Sequence, residues 1–178
     1  MRSRPEVHEY APYYSPYLKL VPNGDIIDIL SKQLEGIHEL LSGISEEQAL
    51  FKYGPDKWTI KEVLGHLMDT ERIMAYRLLC IARGDQTSLS GYNEENYVQN
   101  AHFNQHSLRD LLGDLSVVRK STIRLLDVLE TDDWLKAGTA NHYPVTVRAI
   151  AYIIAGHEKH HLNILKERYL DSEQFPSK

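Results

Sequence analysis

The chain of 178 residues is 42% hydrophobic and 25% charged, which is typical of a single soluble domain. A formal net charge of -5 without any run of Lys and Arg argues against nucleic-acid binding, and no apolar run approaches the length of a membrane helix. The N-terminus has no apolar block typical of a signal peptide, and the single cysteine, Cys80, cannot form an internal disulfide, so we expect a cytoplasmic protein.

Residues 1–22 are rich in Tyr and Pro, and they are predicted to form an extended arm that lies over the domain with its tyrosines half buried. Prolines at this density are expected to exclude a regular helix, because each one removes a backbone donor and fixes φ. The domain itself is placed at residues 23–170 and is followed by a C-terminal tail at residues 171–178.

Two helices are predicted in the first half of the domain. The first begins after Asn23-Gly24-Asp25 and continues to about Ser42, with apolar residues mostly at helical spacing. The second begins at Thr59, which forms a capping box with Glu62, and it ends near Ala82.

Residues 85–106 form the longest irregular segment, which is typical of a lid or a binding loop, with room for a short helix within residues 94–99. A third helix is predicted over residues 107–129. After a connector at residues 138–143, a fourth helix, capped by Thr146, is predicted to end near residue 169. Four long helices without a clear period-two alternation predict an all-α four-helix bundle, a fold that builds metal sites in its core.

The fourth helix carries His157 and His161, whose spacing of four residues places them on the same face of the helix. Both fall within the inward apolar stripe, whereas His160 lies about a third of a turn away. Buried imidazoles need partners for their ring nitrogens, and metal ligation provides them. The third ligand is predicted to be His66, which borders the inward stripe of the second helix. These residues predict a site for a divalent metal ion.

Two other histidine patterns are weaker candidates. His102 and His106 also have the four-residue spacing. The asparagines around them disfavour a helix, so metal ligation by this pair is not favoured. The alternative is that the two histidines line the site from the loop. Residues 157–161 also match the H-E-x-x-H motif of zinc proteases. Ile164 stands where a metzincin has Gly, and only 17 residues follow His161, so a protease is not favoured.

Two carboxylates are candidates for a general base. Glu158 borders the inward face of the fourth helix, and Glu71 falls on the inward stripe of the second. A carboxylate on an inward stripe is unusual unless it has a partner. The alternative for Glu71 is therefore an ion pair with one of three arginines, namely Arg72, Arg77 or Arg148.

In order and spacing, four stretches of the chain resemble the DinB/YfiT-like superfamily of proposed metalloenzymes. They are residues 57–69 (KWTIKEVLGHLMD), the loop 90–92, the turn 132–134 and the stretch 144–161 that ends in GHEKHH. The resemblance extends over about residues 23–170. It implies a bundle with up-down-down-up connections, often found as a homodimer, and a nickel or zinc site with His66, His157 and His161 as ligands.

The resemblance and the chemistry of a three-histidine metal site together leave three functions open. Characterised members include S-transferases that use bacillithiol or mycothiol, so we expect an enzyme that transfers a low-molecular-weight thiol to a small-molecule substrate. The first alternative is a metal-dependent hydrolase that acts through metal-bound hydroxide with Glu158 or Glu71 as base. The second is a non-catalytic, metal-stabilised dimeric bundle. The substrate-binding residues are not identified by the sequence.

Overall fold

The structure is a computed structural model that describes residues 3–177. In chain order, its helices and strands are α1 (Ser15–Leu20), α2 (Ile26–Leu41), α3 (Ile60–Ala82), α4 (Glu94–Ala101), α5 (Leu108–Asp127), β1 (Ala137–Ala140), β2 (Tyr143–Thr146) and α6 (Val147–Ile164). Helix α6 continues as a π-helical segment, Leu165–Leu170. None of the helices within residues 3–177 is long and apolar enough to cross a membrane.

The four long helices α2, α3, α5 and α6 form the bundle, so the predicted all-α four-helix fold is confirmed. Helices α2 and α3 each pack against both α5 and α6. The order around the bundle is therefore α2, α5, α3, α6. Because α3 and α6 are neighbours, the helices that carry the predicted metal ligands face each other.

Each long helix begins at a residue whose side chain accepts a hydrogen bond from a free backbone N–H of the first turn, which stabilises the helix end. These residues are Asp25, Thr59, Ser107 and Thr146. The predicted capping box of Thr59 and Glu62 is present. The helix starts predicted from the sequence are therefore confirmed.

The prediction that residues 1–22 contain no regular helix is wrong, since Ser15–Leu20 forms α1. Pro16 lies in the first turn, where a backbone N–H would have no helical acceptor and where the fixed φ of proline suits a helix. The segment covers the domain as expected, because α1 packs along α6. Tyr14 and Tyr17 are partly buried, Tyr10 is buried and Tyr13 is exposed.

The connector predicted at residues 138–143 lies instead within an antiparallel hairpin of β1 and β2, in which Ala137 pairs with Thr146 and Ala140 with Tyr143. Strands of four residues are too short to show a period-two pattern in the sequence. The short helix allowed for within residues 94–99 is present as α4.

Helix α1 lies close against α6 at Gly156. A Cβ atom at this position would overlap the backbone carbonyl group of Tyr17. Because glycine has no side chain, the ring of Tyr17 can reach two histidines of α6. The distances between ring centroids are 5.6 Å to His157 and 5.2 Å to His160.

A polar layer divides the core of the bundle into two apolar clusters. One cluster contains the start of α2, the end of α3 and the start of α6. The other contains the end of α2 and the starts of α3 and α5. Between them lie five buried polar residues, His66, Glu71, Arg119, His157 and Glu158.

Replacing Gly156 by Ala is expected to lower the free energy of unfolding by roughly 1–3 kcal/mol, because the added methyl group must displace the backbone of α1. Gly113→Ala is the matched control, since nothing lies within 4 Å of the added Cβ. Alanine is the better helix former, so this variant should gain up to about 1 kcal/mol. Urea denaturation measures both changes. A Gly156→Ala protein as stable as the parent would contradict the close packing of α1 on α6.

Candidate metal centre

Three imidazoles meet between α3 and α6 at the level of the polar layer. His66 faces His157, with their Nε2 atoms 3.1 Å apart, and His161 lies one turn further along α6. One nitrogen from each ring lies within 4.8 Å of the other two. The structure thus brings together the three residues predicted as ligands. His160 stays outside this group, and its ring packs edge-on against Tyr17 and His161.

Burial keeps the three imidazoles neutral. It lowers the pKa of His66 to about 4 and, together with the neighbouring His66 and His160, the pKa of His161 to about 3. The pKa of His157 lies well below 6.5, first because of burial and then because of the surrounding histidines. A neutral imidazole has one ring nitrogen whose lone pair can bind a metal ion.

The triad fits a divalent metal ion. Nitrogen ligands lie about 2.1 Å from zinc, so three of them on one ion are roughly 3 to 3.5 Å apart. The 3.1 Å between the Nε2 atoms of His66 and His157 agrees with this spacing, and a nitrogen of His161 lies within 4.8 Å of both. The hydroxyl of Thr70 lies 3.4 Å from the other ring nitrogen of His66 and can orient the ring. Three nitrogen ligands leave at least one coordination position for another molecule.

Two cavities flank the triad. The larger, of about 360 Å³, is bordered by His157, by Tyr14 and Tyr17 of the N-terminal segment, and by Tyr92. The smaller, of about 240 Å³, is bordered by His161 and by three aromatic side chains, Tyr53, Trp58 and Tyr169. Residues of the segment 85–106, predicted from the sequence to be a lid or a binding loop, line both cavities.

Aromatic rings separate the triad from its surroundings. The indole of Trp58 packs on His66 with ring centroids 4.8 Å apart, and the indole N–H donates to Glu95 at 3.1 Å. The phenol of Tyr92 bonds to Thr70 at 2.6 Å. These contacts connect the walls of both cavities to the side chain of His66.

The two candidate bases, Glu71 and Glu158, lie behind the triad and are both bound by Arg119. The guanidinium donates to the two oxygens of Glu71 over 2.7–3.1 Å and to Oε2 of Glu158. Its third nitrogen donates to the carbonyl oxygen of Leu30 at 3.0 Å. Burial by itself would lower the pKa of Arg119, but the two carboxylates outweigh this effect and raise it.

Glu71 does form an ion pair, but its partner is Arg119. The predicted partners Arg72, Arg77 and Arg148 are therefore wrong. The cause is the helix order, since α5 packs beside α3 and brings Arg119 to Glu71. A signal was present in the sequence, because Arg119 follows Leu115 by four residues and so lies on the inward stripe of α5.

Glu158 keeps one unpaired oxygen. Burial raises the pKa of this carboxyl, and Arg119 offsets part of the rise. Oε1 has no hydrogen-bond partner within residues 3–177. A void of about 10 Å³, enough for about one water molecule, is lined by both Glu158 and His157. A role of Glu158 or Glu71 as general base stays a prediction.

His102 and His106 lie away from the triad. His102 ends α4 in the left-handed conformation, with φ of 55°, so the two histidines do not share a helix. Both are exposed, and the backbone carbonyl of His106 accepts a hydrogen bond from Lys61 at 2.8 Å. Neither borders the two cavities beside the triad.

The family follows from a comparison of the whole chain with family models. The model of the DinB superfamily matches residues 29–165. The chain belongs to the DinB superfamily. The resemblance seen in the helix motifs is thereby confirmed.

Among solved structures, this DinB superfamily member is similar to YfiT from Bacillus subtilis, described as a probable metal-dependent hydrolase with an unusual four-helix bundle topology. The TM-score is 0.70 at 14% sequence identity, over 93% of this chain and 90% of that one. At this identity the similarity shows the shared fold. Among curated proteins, no sequence gives a significant match.

Arg119→Met should lower the free energy of unfolding by about 3–5 kcal/mol, because it leaves two buried carboxylates without their partner. Arg124→Met is the control, since it removes an ion pair of 2.9 Å with Asp127 in which the arginine side chain is 74% exposed. Such a pair contributes little to stability. Urea denaturation of the metal-free proteins should show a large loss of stability only for Arg119→Met. Similar losses in both variants would contradict the role of Arg119 as the buried partner of Glu71 and Glu158.

The metal-free protein should lose stability as the pH falls from about 6.5 to about 4. In the unfolded chain histidine titrates near 6.5, whereas burial lowers the pKa of His66 to about 4. The unfolded state therefore binds more protons in this window, and stability decreases on acidification. His66→Gln should make the decrease shallower in denaturation curves measured over this pH range. An unchanged slope would show that His66 is not held neutral.

Proposed function

We propose that this DinB superfamily member is a metal-dependent enzyme that transfers a low-molecular-weight thiol, of the bacillithiol or mycothiol type, to a small electrophilic substrate. The position of the three-histidine group between two separate cavities supports this proposal most directly. A nickel or zinc ion held by His66, His157 and His161 would supply a positive charge that lowers the pKa of a bound thiol or water.

A transfer reaction needs two binding regions that share one reactive point. The cavity beside His157 and the cavity beside His161 meet this requirement, and their volumes of about 360 and 240 Å³ suit small molecules. The wall of the larger cavity carries neutral phenols. Burial raises the pKa of Tyr17 and raises that of Tyr92 to about 12, so both hydroxyls can donate hydrogen bonds to a bound molecule at neutral pH.

The residues around the triad would hold the ligands and exclude water. Thr70 bonds to Tyr92 and orients His66, while Tyr17 and Trp58 cover the rings of His157 and His66. Helix α4 and the segment before it would control access, because they contribute to the walls of both cavities.

His161→Ala is expected to abolish metal binding, because two imidazoles do not complete the site. His160→Ala is the matched control, since its ring lies next to His161 but outside the group of three nitrogens. Elemental analysis of both purified variants decides the point. Stoichiometric metal retained by His161→Ala would disprove the proposed ligand set.

The transferase activity is tested with metal-loaded protein, bacillithiol or mycothiol, and a chromogenic aryl halide as electrophile. We expect conjugation that exceeds the uncatalysed rate and that is lost in metal-free protein and in His161→Ala. Fully loaded protein that produces no conjugate with either thiol would count against the transferase.

A second candidate function is hydrolysis of a small-molecule substrate with Glu158 as the base. The observations that favour it are the unpaired oxygen of Glu158 and the water-sized void that this residue shares with His157. YfiT, which has the same fold, is described as a probable metal-dependent hydrolase. Hydrolysis that persists without thiols and is lost in Glu158→Gln, with the metal retained, would favour this function over the transferase.

Metal-dependent stability without either activity would instead indicate a non-catalytic bundle. The homodimer and the cytoplasmic location expected from the sequence stay predictions. Light scattering after size-exclusion chromatography tests the first of them.

A further inference from the structure

Three Lys or Arg side chains within residues 3–177 are buried, and one of them lacks a carboxylate partner. Lys61 pairs with Glu46 at 2.5 Å, and Arg119 pairs with two glutamates. Arg77 is only 3% exposed, but it forms no ion pair with any residue that the structure describes. A buried charge without a counter-charge is strongly disfavoured unless a ligand supplies it.

The contacts of Arg77 leave much of its hydrogen-bonding capacity unused. Nη2 donates to the backbone carbonyl of Ser90 at 2.6 Å, and Nη1 contacts the thioether sulfur of Met74 at 3.6 Å, which is a weak acceptor. The guanidinium also donates a hydrogen bond to the hydroxyl oxygen of Tyr14. This bond and the charge of Arg77 offset part of the rise that burial causes in the pKa of Tyr14. A guanidinium has five N–H donors, and a planar carboxylate accepts two of them in parallel.

Arg77 lines the cavity of about 360 Å³ that is also bordered by the predicted metal ligand His157. A molecule in this cavity would therefore meet the guanidinium at one part of the wall and the metal centre at another. The phenols of Tyr17 and Tyr92 lie on the same wall and add neutral donors.

We propose that Arg77 anchors the carboxylate of a small-molecule substrate whose reactive end lies toward His157. This inference rests on the proposed function, because it names the chemical class of the substrate that is conjugated or hydrolysed. A monocarboxylate suits the site better than a phosphate dianion, since one guanidinium faces the cavity and the carboxyl of Glu94 shares its wall. Arg77 is on this view a residue that determines specificity.

The test compares two nearly isosteric probes, the anion 4-phenylbutyrate and the neutral 4-phenylbutyramide, by isothermal titration calorimetry, with phenyl phosphate as a third probe that carries a phosphate. Each is titrated into metal-free and zinc-loaded protein, whose metal content is measured separately. We expect the carboxylate to bind at least about tenfold more tightly than the amide in both forms, as a charged hydrogen-bonded pair would give. Arg77→Gln should remove this preference, because it weakens binding of the carboxylate much more than binding of the amide.

Arg72→Gln is the matched control, because Arg72 lies on the same helix with a side chain that is 50% exposed and bonded to Asp69; this variant should keep the preference. Arg77→Lys retains the charge without the planar fork, so it should keep a smaller preference, and it serves as the readout if Arg77→Gln does not fold.

Four outcomes would overturn the assignment. The first is equal affinity of the parent protein for the carboxylate and the amide, and the second is an unchanged preference for the carboxylate in Arg77→Gln. The third is a preference that is seen only with zinc and is lost in His161→Ala. The fourth is tighter binding of phenyl phosphate than of the carboxylate. Because the metal-free protein is measured as well, the result for Arg77 can be interpreted even if the protein fails to bind metal or shows no turnover.

Discussion

The guanidinium of Arg119 is hydrogen-bonded to the three other long helices of the bundle. Arg119 belongs to α5, and it binds Glu71 of α3, Glu158 of α6 and the carbonyl of Leu30 on α2. Buried charges tolerate little displacement, because a lost partner leaves an uncompensated charge in a medium of low dielectric constant. The interaction therefore fixes the axial position of α3 relative to α6. Glu71 lies five residues after His66, and Glu158 is next to His157, so the same alignment of the two helices also brings the imidazoles together.

The charges of the polar layer also suit a cation. Two carboxyl groups share one guanidinium directly behind three neutral imidazoles, so an ionised carboxylate there would stabilise a divalent ion in front of them. The two apolar clusters lie on either side of this layer. A fully apolar core would pack as well or better, so the layer is best understood through what it places between α3 and α6.

Elements outside the four long helices shape the space around the triad. Helix α1 reaches the site because Gly156 allows its backbone to touch α6, and it contributes Tyr17. Trp58, just before α3, covers His66 from the other side. Between them, the segment that contains α4 supplies walls to both cavities. The bundle thus fixes the three imidazoles, while the added segments shape the cavities beside them.

The sequence by itself determined the features that depend on residues close together in the chain. Helix starts follow from caps such as Thr59, and the shared face of His157 and His161 follows from the helical period. His66 was predicted because it borders an apolar stripe. Three features appear only in the tertiary structure: the pairing of Glu71 with Arg119, the approach of Tyr17, and the burial of Arg77 in the wall of the larger cavity. These features depend on which helices are neighbours. Packing between segments tens of residues apart in the chain decides this, and no local sequence pattern predicts such packing.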